Sequence, residues 1–150
     1  MRVQTEMELL RSLPVFAGAD PAQLQLLSFS SKRRKYTVGQ RILVQGEFAR
    51  GAFLITSGRA HVHDGLDAQA TKLASLETGA LVGELTLFVA RPNPVTVIAA
   101  QNVEGKEISR ELFKRVTEEF PEFGRQVFAA LSQKLDQGLA ELAELQKAFG

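Results

Sequence analysis

Residues 76–97 read LETGALVGELTLFVARPNPVTV, and the run at their centre, Gly83-Glu84-Leu85-Thr86-Leu87, decides how the rest of the chain is to be read. A glycine, a carboxylate and a short apolar run make one tight helical turn. The backbone N–H groups at its start have no partner inside the turn and are free to hold an anion. Arg91, Pro92, Asn93 and Pro94 break the chain a few residues later, and Val95-Thr96-Val97 resumes with β-type residues. A turn able to cradle an anion, followed by a β-type segment, reads as a binding loop carried by a sheet.

Outward from this stretch, Gly39, Gly46, Gly51, Gly58, Gly65, Gly79 and Gly83 divide the middle of the chain into short pieces. β-type runs fall at Arg41–Gln45, Ala52–Thr56, Arg59–His63, Thr71–Leu76, Val95–Gln101 and Glu104–Ser109. Short strands at this spacing indicate a sandwich or barrel, and Ser57-Gly58 and Asp64-Gly65 are hairpin signals that predict antiparallel neighbours. Helical patterns lie on either side. Glu6 to Leu13 is short and amphipathic, and Asp20-Pro21 is an N-cap with proline at the first helical position, ahead of Leu24, Leu26, Leu27 and Phe29. At the other end a helix over Arg110–Glu119 stops at Phe120-Pro121, and Pro121 opens a second that runs to about Lys147. The expected fold class is mainly β with flanking helices.

Taken together, these residues resemble the cyclic nucleotide-binding domain family, of the catabolite activator and cAMP-dependent kinase regulatory-subunit kind. The phosphate-binding cassette of that family reads Gly-Glu-Leu-Ala-Leu, some variable residues, then Pro-Arg and small residues ending in Thr-Val. The spacing of Gly39, Gly46-Glu47, Gly58 and Gly79 matches the family skeleton as well, so the resemblance covers roughly Pro14 to Phe120 and beyond. It implies an antiparallel jelly-roll β-barrel with short N-terminal helices and a long C-terminal helix. It also implies a ligand, cAMP or cGMP, with no cofactor required. Gly83 would let the backbone approach the sugar phosphate and Glu84 would accept from the ribose 2′-hydroxyl, with Leu85, Thr86, Arg91, Asn93, Pro94, Val95 and Thr96 completing the site. Asn93 stands where the family has its phosphate-binding arginine, and Pro94 has no N–H to offer at the next position. A charge-assisted hydrogen bond contributes ~1.5–3 kcal/mol, so the arginine's loss should weaken binding by roughly 10- to 150-fold. Arg91 on the same loop is the candidate replacement cation, and Arg50 a weaker one.

At 150 residues and 45% hydrophobic content, the chain suits one core that buries roughly two thirds of its unfolded surface. We divide it at residue 120, with 1–120 as the barrel and its short helices and 121–150 as a dimerisation helix. A net charge of +1 gives no whole-molecule steering toward nucleic acid or an anionic membrane. The absence of cysteine excludes disulfides, thiolate metal sites and cysteine-ligated iron–sulfur clusters. Two glutamates interrupt MRVQTEMELL, which is therefore not a signal peptide, and no apolar run approaches the ~18 residues of a membrane span. A cytoplasmic location is expected. The chain stops where catabolite activator-like regulators begin a helix-turn-helix domain, so no direct DNA binding is expected from it.

Phe128, Leu131, Leu135, Leu142, Leu145 and Phe149 recur at spacings of three and four once Gly138 is counted, a heptad seam that predicts a homodimer through the last helix. Lys32-Arg33-Arg34-Lys35 reads either as a phosphate contact or as a solvated segment blunting a strand edge. His61 and His63 share one face of a strand, but a cupin-type metal site needs a third histidine, for which Asp67 is a weak substitute. The expectation is two histidines on the outer face of an edge strand and no metal. No nucleophile elbow, paired carboxylates or P-loop lysine is present, so no enzymatic activity is expected. The sequence thus reads as a stand-alone regulatory sensor that binds a small anion at Gly83–Leu87 and signals through its C-terminal helix. The alternative is a structural or interaction module of the same fold with a degenerate pocket.

Overall fold

The computed structural model describes the backbone of residues 2–149 and the side-chain surroundings of residues 6–137. Eight strands form two four-stranded sheets: β1 (Lys32–Tyr36), β2 (Arg41–Leu43), β3 (Gly51–Ser57), β4 (Ala60–Asp64), β5 (Thr71–Leu76), β6 (Leu81–Val82), β7 (Thr96–Ala99) and β8 (Val103–Ser109). One sheet runs β1-β8-β3-β6 and the other β2-β7-β4-β5, with every pairing antiparallel. This is the barrel with flanking helices that the glycine spacing and the resemblance implied.

β3 is apolar on both faces because both are covered. Ala52 and Leu54 pack with Leu10, Phe16, Leu24, Leu27 and Phe113 from the helices, whereas Phe53 and Ile55 pack with Val82, Val97, Ala99 and Val103 between the sheets. The helices are α1 (Arg2–Ser12), α2 (Pro21–Ser30), α3 (Arg110–Glu119) and α4 (Pro121–Phe149). Their starts are set by local chemistry. The Asp20 carboxylate accepts from the Ala22 N–H at 2.9 Å, and Ser109 Oγ accepts from the Leu112 N–H at 3.0 Å.

Two local expectations need correction. Ser57-Gly58 does not join a hairpin, because β3 and β4 belong to different sheets. Gly58, with φ 94°, turns the chain from one sheet into the other, and a Cβ there would lie 2.3 Å from the Asn102 carbonyl oxygen. The Asp64-Gly65 region does connect an antiparallel pair, β4 and β5. The histidine strand β4 is not an edge strand either, since it lies between β7 and β5, and His63 is buried. The basic run forms edge strand β1, where Arg34 pairs with Glu107 and Lys35 with Glu104, each at 3.4 Å. The sequence reading also missed β6, whose two residues are too few to carry an alternation pattern.

α4 begins inside the core. Phe123, Val127 and Leu131 are buried with the helices α1–α3, so packing continues across residue 120. Leu131 is therefore not available to a dimer seam, which corrects its assignment there. Phe128 is 58% exposed and Leu135 48%, while Leu142, Leu145 and Phe149 lie outside the described side chains. At 29 residues the helix is about 43 Å long.

α1 is held to the sheet by a buried carboxylate. Glu6 accepts from Ser28 at 3.2 Å and pairs with Arg33 at 3.1 Å and Lys106 at 3.7 Å, and Lys106 is only 12% exposed. Removing one partner of a buried pair strands the other in a poorly solvated site. Glu6→Ala is expected to lower the unfolding free energy by about 3 kcal/mol in urea titrations, whereas Lys35→Ala at the exposed Lys35–Glu104 pair should cost under about 1 kcal/mol.

Candidate functional site

The cassette stretch folds as a single 3-10 turn over Glu84–Leu87, entered from β6 through Gly83. Gly83 has φ 75°, a left-handed conformation that side-chain-bearing residues rarely adopt, and a Cβ there would also sit 3.4 Å from the Gly51 carbonyl oxygen. The Gly83 carbonyl accepts from both the N–H and the hydroxyl of Thr86, which closes the turn. The N–H groups of Glu84 and Leu85 sit at its open start with no acceptor among the described residues.

The far end of the turn is anchored to the helices. Leu87 is buried in the helical core, and Arg110 at the start of α3 donates to the Thr86 carbonyl at 3.1 Å and to the Ala49 carbonyl at 3.3 Å. Phe88 meets the Phe113 ring edge-on at 5.1 Å between centroids and the Phe128 ring at 5.6 Å. The turn thus leans on α3 and α4 through three aromatic rings.

Glu84 is already engaged. Lys134 Nζ, on α4, donates to Glu84 Oε1 at 2.6 Å, in a pair whose carboxylate side chain is 20% exposed. This is a charge-assisted hydrogen bond between residues 50 positions apart, joining the cassette directly to the C-terminal helix. Nothing in the local spacing around Glu84 could have revealed Lys134, because the contact depends on how α4 lies across the fold.

Asn93 is 5% exposed and held by three hydrogen bonds. Its side-chain amide donates to the Val44 carbonyl at 3.1 Å, its N–H donates to the Glu47 carbonyl at 2.8 Å, and its carbonyl accepts from the Gly46 N–H at 2.9 Å. The residue staples the cassette loop to the turn between β2 and β3. Thr96 is committed in the same way, its hydroxyl accepting from the Gln45 N–H at 3.0 Å and donating to the Gly65 carbonyl. Arg91 and Pro94 are exposed, and Val95 packs against the inter-sheet core. Of the predicted set, Gly83, Glu84, Leu85 and Thr86 form one turn. Arg91 makes no ion pair among the described residues, and Asn93 and Thr96 turn their polar groups to the protein. Asn93 also lines a cavity of about 230 Å³ beside Phe48 and Arg50, below the ~300–1,000 Å³ of ordinary ligand pockets.

The two histidines project from one strand. The His61 and His63 rings are 6.3 Å apart, but His63 Nδ1 lies 3.0 Å from the Ala70 carbonyl oxygen and donates to it. Desolvation and then the Lys72 charge hold the His61 imidazole below its ordinary pKa. No group of three metal-ligating side chains occurs among the described residues. Among those residues, no helix is long and apolar enough to cross a membrane.

A profile of the cyclic nucleotide-binding domain matches residues 33–120. The chain is similar to a cyclic AMP receptor protein of Thermus thermophilus, with 26% identity over 134 residues, which are 89% of this chain and 62% of that protein. It is also similar to acetyltransferase Pat of Mycolicibacterium smegmatis, with 31% identity over 107 residues, 71% of this chain and 32% of that one. Its fold matches the crystal structure of the N-terminal domain of a transcriptional regulator from Streptomyces coelicolor A3(2), at a TM-score of 0.80 and 23% identity, over 89% of this chain and 93% of that one. The chain spans less than two thirds of the length of these two curated relatives.

The Asn93 staple has a measurable consequence. Asn93→Ala leaves the Val44 carbonyl without its donor in a buried site, and is expected to cost ~1–3 kcal/mol of stability in chemical denaturation. Arg91→Ala, at an exposed position, should change stability by less than about 0.5 kcal/mol.

Proposed function

This chain belongs to the cyclic nucleotide-binding domain family, and we propose that it works as a regulatory sensor that takes cAMP or cGMP weakly at Gly83–Leu87 and reports it through α4. The observation that carries this reading is the contact of Lys134 with Glu84. A ribose hydroxyl that takes Glu84 Oε1, the oxygen the Lys134 ammonium holds, competes with it. Binding and the seating of α4 are then linked, because the ligand and the helix compete for one carboxylate. The aromatic contacts of Phe88 with Phe113 and Phe128 supply a second link between turn and helix.

Weak binding follows from the donor inventory. The turn offers backbone N–H groups and Glu84, while Asn93 is buried in internal hydrogen bonds and Pro94 has no N–H. Two missing phosphate contacts cost ~3–5 kcal/mol, a loss of roughly a hundred- to several-thousand-fold in affinity. The proposed role is that of a binding domain without catalysis, in the cytoplasm. The alternative, an interaction module with a closed pocket, draws on the same Asn93 staple.

Isothermal calorimetry with cAMP tests the competition. Lys134→Ala is expected to tighten cAMP binding by about threefold or more, since the ligand no longer displaces an ion pair. Asn93→Arg is expected to tighten it at least about tenfold by restoring a cation, with some loss of stability from the Val44 contact. No heat from wild type, Lys134→Ala or Asn93→Arg at millimolar cAMP would establish the interaction-module reading. A Lys134→Ala variant that binds more weakly would instead make Lys134 the phosphate's cation.

We further propose that α4 pairs two copies of the chain through Leu135 and the heptad positions beyond it, with Phe128 at the margin. Sedimentation of the wild type at micromolar concentration should give a dimer, and Leu135→Glu with Leu142→Glu a folded monomer. A wild-type monomer would remove the pairing.

A further inference from the structure

A second cleft adjoins the far end of the cassette turn at Leu87 and Phe88. It is a groove of about 1180 Å³ between β1, the loop before β3, α3 and the first turns of α4. Six cations line it, Lys32, Arg34, Arg50, Arg110, Lys114 and Arg125, against the two carboxylates Glu107 and Glu111. A third of the chain's eighteen basic residues is gathered here, although the net charge of the whole is +1.

These cations differ in how well they are paired. Arg125 pairs with Glu122 at 2.8 Å, and Arg110 is held by the Thr86 and Ala49 carbonyls. Arg34 is only partly satisfied: its contact to Glu107 is long, at 3.4 Å, and its Nε is buried without an acceptor. Lys32, Arg50 and Lys114 are exposed and make no ion pair among the described residues. On the same strand Arg33 pairs with Glu6 and Lys35 with Glu104, which leaves Lys32 as the cation of this run without an ion pair among the described residues. Strand alternation sends Lys32 and Arg34 to one face and Arg33 and Lys35 to the other, so the groove receives Lys32, which has no ion pair among the described residues, and Arg34, whose Nε lacks an acceptor.

The groove also presents apolar surface. Phe128 is 58% exposed against Phe88, and Leu87, Ala90 and Phe113 line the groove beside them. An open groove of this volume exceeds the ~300–1,000 Å³ of small-ligand pockets, and its cations are spread over strand, loop and two helices rather than focused on one point. Distributed positive charge around an aromatic patch complements a segment that carries carboxylates along its length and apolar side chains on one face. We propose that the groove is a docking surface for an acidic amphipathic helical segment of a partner protein. Such a segment would touch Phe128 of α4, the ring that also leans on Phe88 behind the cassette turn.

The test uses the full chain and a labelled synthetic peptide of about eighteen residues, with Glu on one face and Leu and Phe on the other, beside a counterpart with Lys at every Glu position. Expected results are binding of the acidic peptide with Kd below ~100 μM at low salt, loss of about tenfold or more in Lys114→Glu/Arg125→Glu, and a drop of about fivefold at high salt. Amide resonances of α3 and the start of α4 should shift, and the two exposed charge reversals should leave the thermal melt unchanged. Equal binding of the Lys peptide, no binding at millimolar concentration, or shifts confined to other elements would overturn the proposal. So would ATP or duplex DNA displacing the acidic peptide from the groove at lower concentration, which would make the surface a small-anion or nucleic-acid site.

Discussion

Burial of one strand on both faces organises this molecule. β3 carries Ala52 and Leu54 toward the helices and Phe53 and Ile55 toward the opposite sheet, so a single layer cannot cover it. Two cores have to form, one under α1–α4 and one between the sheets. The cassette turn sits at their junction, because Val82 just before it belongs to the inter-sheet core and Leu87 at its end belongs to the helical one. A turn pinned at both ends to different cores holds its backbone N–H groups in place before any ligand arrives, which is the pre-organisation that binding a small anion needs.

Asn93 shows how one position serves stability at the expense of charge. An arginine there would bring a cation to the turn, but a long flexible side chain could not be buried in the same way as the short amide that reaches the Val44 carbonyl. The cation nearest the cassette carboxylate is instead carried by α4, and it arrives already paired. The structure therefore couples the turn to the helix more firmly than it equips the turn to hold a phosphate.

Local chemistry was legible in the sequence, and long-range placement was not. Asp20-Pro21 and Pro121 mark helix starts through hydrogen bonds and backbone restrictions that act within a few residues, and the helices begin there. The glycines marked the strand ends for the same reason. Ser57-Gly58 misled because turn chemistry reports that a chain reverses, not which sheet receives it. The charges of Lys32–Lys35 hid a strand whose partners, Glu104, Glu107 and Glu6, come from distant parts of the chain. At the site, the turn Gly83–Leu87 was readable from its own residues. The positions of Lys134, of Asn93 against Val44, and of Leu131 inside the core depend on how separate elements pack, and a heptad does not state which of its apolar positions the chain keeps for itself.

The Glu6 cluster bears on the order in which the parts of this chain can settle. α1 is the first element in the sequence, yet its carboxylate is satisfied by Arg33 and by Lys106, which lies near the far end of the barrel segment. Until β8 has paired with β1, Lys106 is not in place, and docking α1 would bury a carboxylate that lacks one of its two cations. The seating of α1 therefore depends on a strand about a hundred residues further along the chain, and weakening the β1–β8 pairing would loosen this helix as well.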